Sequence, residues 1–152
     1  MAYLNEAVGG WAAGLYRASV VMLACACERL ILILAQAISE ANILPWSDRL
    51  TRKFQQSARS PVSISDIFED VRDALLHRAS EKALPGKLSD ALDRKLTPIF
   101  ELARGLRNRA GHPTAEEVTS EEAEGNLLLF PSFYFLVADL IEYCRSRKTE
   151  TT

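Results

Sequence analysis

Apolar positions dominate one long segment of the sequence, which predicts helix from about Leu4 to Glu40. Glycines weaken helix interiors, so we expect an interruption near Gly9-Gly10 or at Gly14. In the second half of this segment, at 100° per residue, only a narrow polar stripe remains, formed by Arg29, Gln36 and Glu40. A helix that is apolar on most sides needs partners on at least two of them. The pattern therefore predicts a central core helix that also serves a subunit interface.

Two helices are predicted in the next part of the chain. A short basic helix is expected over residues 48–59, exposed or mobile because it is so polar. The following helix begins after Pro61, with Ser63 as the N-cap and Asp66 three residues further on. Its apolar stripe has helical spacing and ends before the sequence LPG; it consists of Ile64, Ile67, Phe68, Val71, Leu75 and Ala79.

Two more helices complete the prediction. One runs from about Ser89 to Ala110 and is kinked or restarted at Thr97-Pro98, because proline cannot continue a helix undisturbed. Its inward positions are Leu92, Leu96, Ile99, Phe100, Ala103 and Leu106. The last helix begins near Thr119, with Glu122 completing a capping box, and runs to about Arg147. Its packing stripe, in which Pro131 is expected to cause a kink, is Leu127, Phe130, Tyr134, Val137, Ile141 and Cys144.

All of these segments have helical periodicity, and we find no alternating strand pattern of useful length. The sequence therefore predicts an all-α fold, a single bundle of four to five helices over residues 1–147. Residues 148–152 are expected to form a frayed tail.

Composition restricts the functional classes only slightly. The net charge of −2 provides no global basic field for nucleic acid, so any such binding requires a local patch. Residues 18–38 have the length of a membrane span, but Glu28 and Arg29 lie at the centre, where a bilayer strongly disfavours ionised groups. Residues 1–10 do not resemble a secretory signal. We therefore expect a cytoplasmic protein that does not contact a membrane.

The cysteines and one of the two histidines are expected to be structural. Cys25 and Cys27 point to opposite sides of a helix, and Cys144 is distant in sequence. We interpret all three as small buried thiols rather than as a disulfide or a zinc site. His77 has no motif around it and is also interpreted as structural.

The stretch LRNRAGHP, residues 106–113, is the main candidate for chemistry. One interpretation is structural, because cations in the last turn of a helix interact favourably with its dipole. Gly111 suits a left-handed C′ position and Pro113 cannot continue the helix. We therefore expect the chain to reverse at Gly111 and to bring His112 back beside Arg107 and Asn108.

Three features favour a catalytic interpretation of the same stretch. His112 can exchange a proton near neutral pH, and Arg107 has a planar fork suited to phosphate oxygens. The surrounding sequence is locally basic; its cations are Arg94, Lys95, Arg104, Arg107 and Arg109. Glu28 lies in an apolar setting in which a carboxylate needs a partner. The candidates for that partner are Arg107, Arg29 and Arg17.

The segment RNRAGH, with its arginine, polar residue and later histidine, resembles the signature of HEPN domains, which are all-helical bundles. The resemblance extends to GLYRASVVMLACACERLILIL, which is similar to the long HEPN helix with an acidic residue. It also extends to EEAEGNLLLFPSFYFLVADLIEYC, similar to the helix after the motif, and so covers roughly residues 4–147.

Active HEPN proteins are metal-independent endoribonucleases, so the resemblance implies specific roles. Arg107 and His112 would be the catalytic pair, Asn108 would orient the site, and Glu28 would be the supporting acid. The chain contains one such motif, so a composite site implies a two-fold homodimer with the helix over residues 18–38 at the interface. Arg104 and Arg109 are candidates for RNA binding, although Arg109 could equally only solvate the helix end.

Two functions remain open at this stage. The chain could be a nuclease that acts on single-stranded RNA without a cofactor, in a toxin-like or defence-related role, restrained by an antitoxin protein. Alternatively, it could be a non-catalytic HEPN-like module for dimerisation or for binding RNA, nucleotide or protein. The motif favours the first function, whereas the acidic charge balance favours the second.

Overall fold

The computed structural model describes residues 2–41, 43, 45–57, 62–112 and 117–149, and all regular structure in these ranges is helical. The elements in chain order are α1 (Ala2–Ala12), α2 (Tyr16–Glu40), α3 (Trp46–Ser57), α4 (Ile64–Ser80), α5 (Gly86–Ala91), a π-helical segment (Leu92–Leu96), α6 (Thr97–Gly111) and α7 (Ser120–Thr149). Helix is continuous from α5 through the π segment to α6, so the described residues form six separate helices. The all-α prediction is confirmed, but the predicted count of four to five helices is too low, because the first predicted segment is divided into α1 and α2.

The break between α1 and α2 falls at the last of the three predicted glycines. Gly14 has φ +74°, a left-handed conformation that side chains with a Cβ rarely adopt. Gly9 and Gly10 are helical, and a Cβ on Gly10 would lie 3.3 Å from the backbone nitrogen of Ser19. The turn at Gly14 thus folds α1 back onto the start of α2.

Helix α2 is the centre of the bundle and packs against α1, α3, α4, α6 and α7. Val20, Ile31, Leu34 and Ile38 on this helix are completely buried. The prediction of a central core helix is therefore confirmed. Most of its apolar surface is already covered within one chain.

The predicted helix starts are formed by the expected side chains. Ser63 caps α4, where its hydroxyl accepts a hydrogen bond from the backbone N–H of Ser65. At the start of α7 the Thr119 hydroxyl accepts from the N–H of Glu122 at 3.2 Å, and the Glu122 carboxylate accepts from the N–H of Thr119 at 3.0 Å. This reciprocal pair is the predicted capping box.

The expected disturbance at Thr97-Pro98 takes the form of a π-helical segment within a continuous helix. Pro98 lies in the first turn of α6, directly after the π segment. A proline has no N–H to donate to the preceding turn, and π geometry occurs mostly as a single turn inside an α-helix, as it does here.

Helix α7 differs from the predicted packing stripe at one position. Tyr134 is 37% exposed, whereas Phe133 and Leu140 are fully buried. The buried face is centred on Phe133 and Val137 because α7 packs on α2 and is contacted from other sides by α1, α5 and α6. Helix α7 ends at Thr149, two residues beyond the predicted end at Arg147, and the rest of the expected tail lies outside the described residues.

By length and composition, two helices could cross a membrane: Tyr16–Glu40 and the Ser120–Arg147 part of α7. In each, 44% of the apolar window is buried inside the protein. Core helices of soluble bundles give the same pattern, so this finding is weak evidence for a membrane location.

Candidate active site

A charged hydrogen bond between α2 and α6 joins Glu28 to Arg107. The Nη1 group of Arg107 donates a hydrogen bond to Oε1 of Glu28 at 2.6 Å. The sequence left three possible partners for this carboxylate, and the structure identifies Arg107 as its partner. The Glu28 side chain is only 16% exposed, whereas that of Arg107 is 40% exposed. Because a guanidinium has five N–H donors, Arg107 can remain bound to Glu28 and still contact an anion from solvent.

A thiol lies beside this ion pair. Burial raises the pKa of Cys25, and the Glu28 carboxylate raises it further, while Arg107 acts in the opposite direction. Glu6 of α1 also contributes to the raised pKa. The thiol is therefore protonated at neutral pH. The sequence analysis did not place Cys25 in the site, although its spacing of three residues from Glu28 could have indicated a shared helix face.

The end of α6 differs from the prediction at Gly111. This glycine is helical, and Gly14 is the glycine with positive φ among the described residues. The C-cap is His112, with φ −87° and ψ 124°, and its backbone N–H donates to the carbonyl oxygen of Arg109 at 3.1 Å. The predicted reversal at Gly111 is therefore wrong. The tighter last turn closes the helix with ordinary negative φ values, so no left-handed residue is needed.

As a result, His112 and Arg107 are not brought together by the turn. Positions five apart on an α-helix are about 140° apart around its axis. No hydrogen bond joins these two side chains in the described part of the chain, and His112 is exposed. Asn108, next to Arg107, is also exposed. Pro113, which was expected to stop the helix, lies outside the described residues.

The two arginines expected to bind RNA both have protein partners. Arg109 forms an ion pair with Glu122, in the capping box of α7. Hydrogen bonds from Arg109 and from the Thr119 backbone lower the pKa of the Glu122 carboxyl. The helix end that carries the motif is thus connected to the start of α7, which the sequence did not indicate.

Arg104 is oriented by α4 and by its own helix. Its Nη1 group lies 3.2 Å from Oε1 of Glu101, and its Nη2 group donates to the Ser65 hydroxyl at 2.5 Å. The guanidinium also lies over the ring of Phe100, 5.7 Å from the ring centre. A ligand that recruits Arg104 would have to compete with these contacts.

A small hydrophobic cluster packs around Leu106, the first residue of the motif. Leu106 packs with Val20 of α2 and with Val118 and Ala123 near the start of α7. Its partly buried neighbours are Trp11, Tyr16 and Ala110. The cluster fixes the axis of α6 relative to α2 and thereby the position from which Arg107 reaches Glu28.

The remaining candidates behave as structural groups. All three cysteines are free; Cys27 and Cys144 are buried, and burial raises the pKa of each to about 12. Cys25 is only half-buried. His77 packs against Trp46 with ring centres 4.7 Å apart, and its Nε2 lies 3.3 Å from Glu81. Among the described residues, no group of three or more His, Cys, Asp or Glu side chains is arranged to hold a metal ion.

The fold is an all-helical bundle. An ion pair joins Glu28 of α2 to Arg107 of α6, and His112 is the C-cap of α6. No protein-family model matches the chain, and comparison with curated proteins and with solved structures finds no match. The similarity to HEPN domains therefore depends on the quoted sequence segments alone.

Proposed function

We propose that this protein is a metal-independent endoribonuclease of the HEPN type that cleaves single-stranded RNA. The observation that carries the proposal is the 2.6 Å contact between Arg107 and Glu28. A carboxylate that is mostly buried keeps the position of the guanidinium constant, and the exposed part of the guanidinium faces solvent. An arginine held in this way is suited to a phosphate group whose charge increases during reaction.

In the proposed reaction, the 2′-hydroxyl oxygen of one nucleotide attacks the adjacent phosphorus. His112 accepts the hydroxyl proton or delivers a proton to the departing 5′-oxygen. The products are a 2′,3′-cyclic phosphate and a 5′-hydroxyl end. Arg107 stabilises the additional negative charge on the phosphorane oxygens, and Asn108 helps to orient the substrate.

We further propose that the active form is a two-fold homodimer. In one chain, His112 and Arg107 have no mutual hydrogen bond, so a complete site requires either movement at the helix end or a second copy. Half-buried apolar side chains remain on the side of α2 near Glu28, namely Val21 and Leu32. A second copy that covers this side would bring two motifs close to one axis.

The alternative is a non-catalytic HEPN-like module for dimerisation or for binding RNA, nucleotide or protein. One specific observation favours it: Arg104 and Arg109 are both engaged with carboxylates of the same chain. Together with a net charge of −2, this leaves a smaller basic surface for RNA than the sequence suggests. A cytoplasmic location and a restraining antitoxin belong to the nuclease proposal.

The decisive comparison uses purified protein and single-stranded RNAs of varied sequence in EDTA. We expect the wild type to cleave RNA and His112→Ala to reduce the rate by at least about 100-fold, because general acid–base catalysis typically contributes that much. His77→Ala is the matched control and should retain activity. If wild type and His112→Ala are equally inactive while remaining folded, the non-catalytic alternative is favoured.

A further inference from the structure

A large apolar groove lies on the side of the bundle formed by α1, α2 and α7. It has a volume of about 830 Å³. Its floor consists of aliphatic and aromatic side chains, among them Leu4, Leu30, Ile33, Phe130 and Ile141. Small-molecule sites typically have volumes of 300–1,000 Å³, mostly apolar walls and few polar groups. The volume of the groove lies in this range, and its walls are mostly apolar.

Two of the polar side chains that line the groove are cations; the full polar set is Tyr3, Arg29, Tyr134, Glu142, Arg145 and Ser146. Arg29 of α2 and Arg145 of α7 are both exposed, and neither forms an ion pair within the described part of the chain. One carboxylate, Glu142, also lines the groove. Two unpaired guanidinium groups beside an apolar floor favour a ligand with an apolar body and an anionic end.

The walls of the groove are helices, and this limits what can bind there. Helical backbone groups are hydrogen-bonded within their own helix, so the groove offers no sheet edge to an extended peptide. The amide groups of such a peptide would be left without partners against the apolar floor, at a cost in free energy. An alkyl chain has no polar groups to satisfy and can follow an irregular surface.

We propose that this groove binds a single-chain amphiphile with an anionic head group, such as a free fatty-acid-like carboxylate. The alkyl chain lies on Leu30, Ile33, Phe130 and Ile141, and the head group contacts Arg29 or Arg145. Tyr3 and Tyr134, which are 46% and 37% exposed, flank the chain with rings that are apolar in body and polar at the tip. This site is separate from the Arg107–Glu28 pair and does not depend on the nuclease proposal.

The test is calorimetric titration of the full chain with dodecanoate below its micelle concentration, with dodecan-1-ol as the uncharged comparison. We expect saturable binding of one dodecanoate per chain and weaker binding of the alcohol. Ile33→Glu, which puts a carboxylate on the floor, should weaken binding by at least about tenfold. Leu128→Glu changes a leucine on α7 that is 73% exposed and does not line the groove, and it should have no effect.

Further variants and measurements keep the proposal open to refutation. Ala138→Trp fills the groove with apolar bulk and should also abolish binding, even if Ile33→Glu fails to fold. The double variant Arg29→Glu, Arg145→Glu should remove the preference for dodecanoate over the alcohol.

Absence of saturable binding to the folded wild type would overturn the proposal. It would also be overturned if Ala138→Trp converted a dimer to a monomer without any dodecanoate site, because the groove would then be a subunit interface. Sedimentation of the wild type, but not of Ala138→Trp, with phosphatidylglycerol vesicles would instead identify a bilayer as the occupant.

Discussion

Glu28 shows that the sequence can indicate a buried carboxylate without identifying its partner. Its apolar neighbours along α2 were enough to predict that the carboxylate needs a partner, because a lone buried charge is costly. They could not identify the partner, since that depends on the crossing of α2 and α6. The choice of Arg107 follows from tertiary packing, and so does the unexpected proximity of Cys25.

Removing the charge of Glu28 should destabilise the protein moderately. Because Arg107 is 40% exposed, water compensates part of the loss, and we expect Glu28→Gln to lower the free energy of unfolding by about 1–2 kcal/mol. Urea denaturation followed by circular dichroism measures the change. Glu69→Gln, at an exposed position of α4, is the control and should change stability by less than about 0.5 kcal/mol. Equal stability of both variants would show that the ion pair contributes nothing.

Glu122 should make stability depend on pH in a defined direction. Its pKa in the folded protein lies below the ordinary value of 4.5, mainly because of the Arg109 hydrogen bond. The folded state therefore favours the charged form, so this contribution is fully present above pH 4.5 and is lost as the pH falls through the lowered pKa. We expect Glu122→Gln to be less stable than wild type at pH 7 and the difference to shrink towards pH 3. A difference that grows as the pH falls would contradict the assigned contact.

At the scale of elements, the apolar periodicity was sufficient for the order and type of the helices. The capping box at Thr119 and Glu122 is a local pattern, and it is present as predicted. The end of α6 was predicted wrongly because glycine permits a left-handed cap without requiring one. The prediction that Tyr134 belongs to the packing stripe of α7 was wrong for a similar reason. Helical spacing of apolar residues does not specify how many neighbouring helices cover a helix.

The turn between α1 and α2 allows a direct test with two glycines. Gly14→Ala should destabilise the protein by about 1 kcal/mol, because its φ of +74° disfavours a Cβ. Gly9→Ala, in the interior of α1 with no atom within 4 Å of the added Cβ, should stabilise it by about 0.5–1 kcal/mol. Thermal unfolding of both variants measures the two effects. Stabilisation by Gly14→Ala would refute the left-handed turn.

At the scale of the whole molecule, the reactivity of the three cysteine thiols depends on how the bundle is packed. Burial raises the pKa of Cys27 and Cys144 to about 12, whereas Cys25 is only half-buried beside Arg107. With Ellman's reagent at pH 8, we expect Cys25 alone to react in the folded protein, and slowly because its pKa is also raised. All three thiols should react in guanidinium chloride. Cys25→Ser should remove the reaction of the folded state, and a second reactive thiol there would contradict the packing of α2 and α7.

The all-α class was predictable because the apolar positions have helical periodicity throughout the 152-residue chain. The candidate site was predictable only in part. The sequence indicated Arg107 and Glu28, but the ion pair of Arg109 with Glu122 and the hydrogen bond from Arg104 to Ser65 depend on which helices meet. The proposed assembly of a complete site from two copies depends on contacts between chains, so no single segment of the sequence could indicate it.

The central claim is that Arg107 and His112 cleave RNA by attack of the 2′-hydroxyl group. The most direct measurement is identification of the new ends after incubation of a single-stranded RNA with the wild-type protein in EDTA. We predict 2′,3′-cyclic phosphate and 5′-hydroxyl ends, no cleavage when the nucleotide at the cleavage position is 2′-deoxy, and no such ends with Arg107→Ala or His112→Ala. New 5′-phosphate ends, or cleavage of the 2′-deoxy substrate, would contradict it.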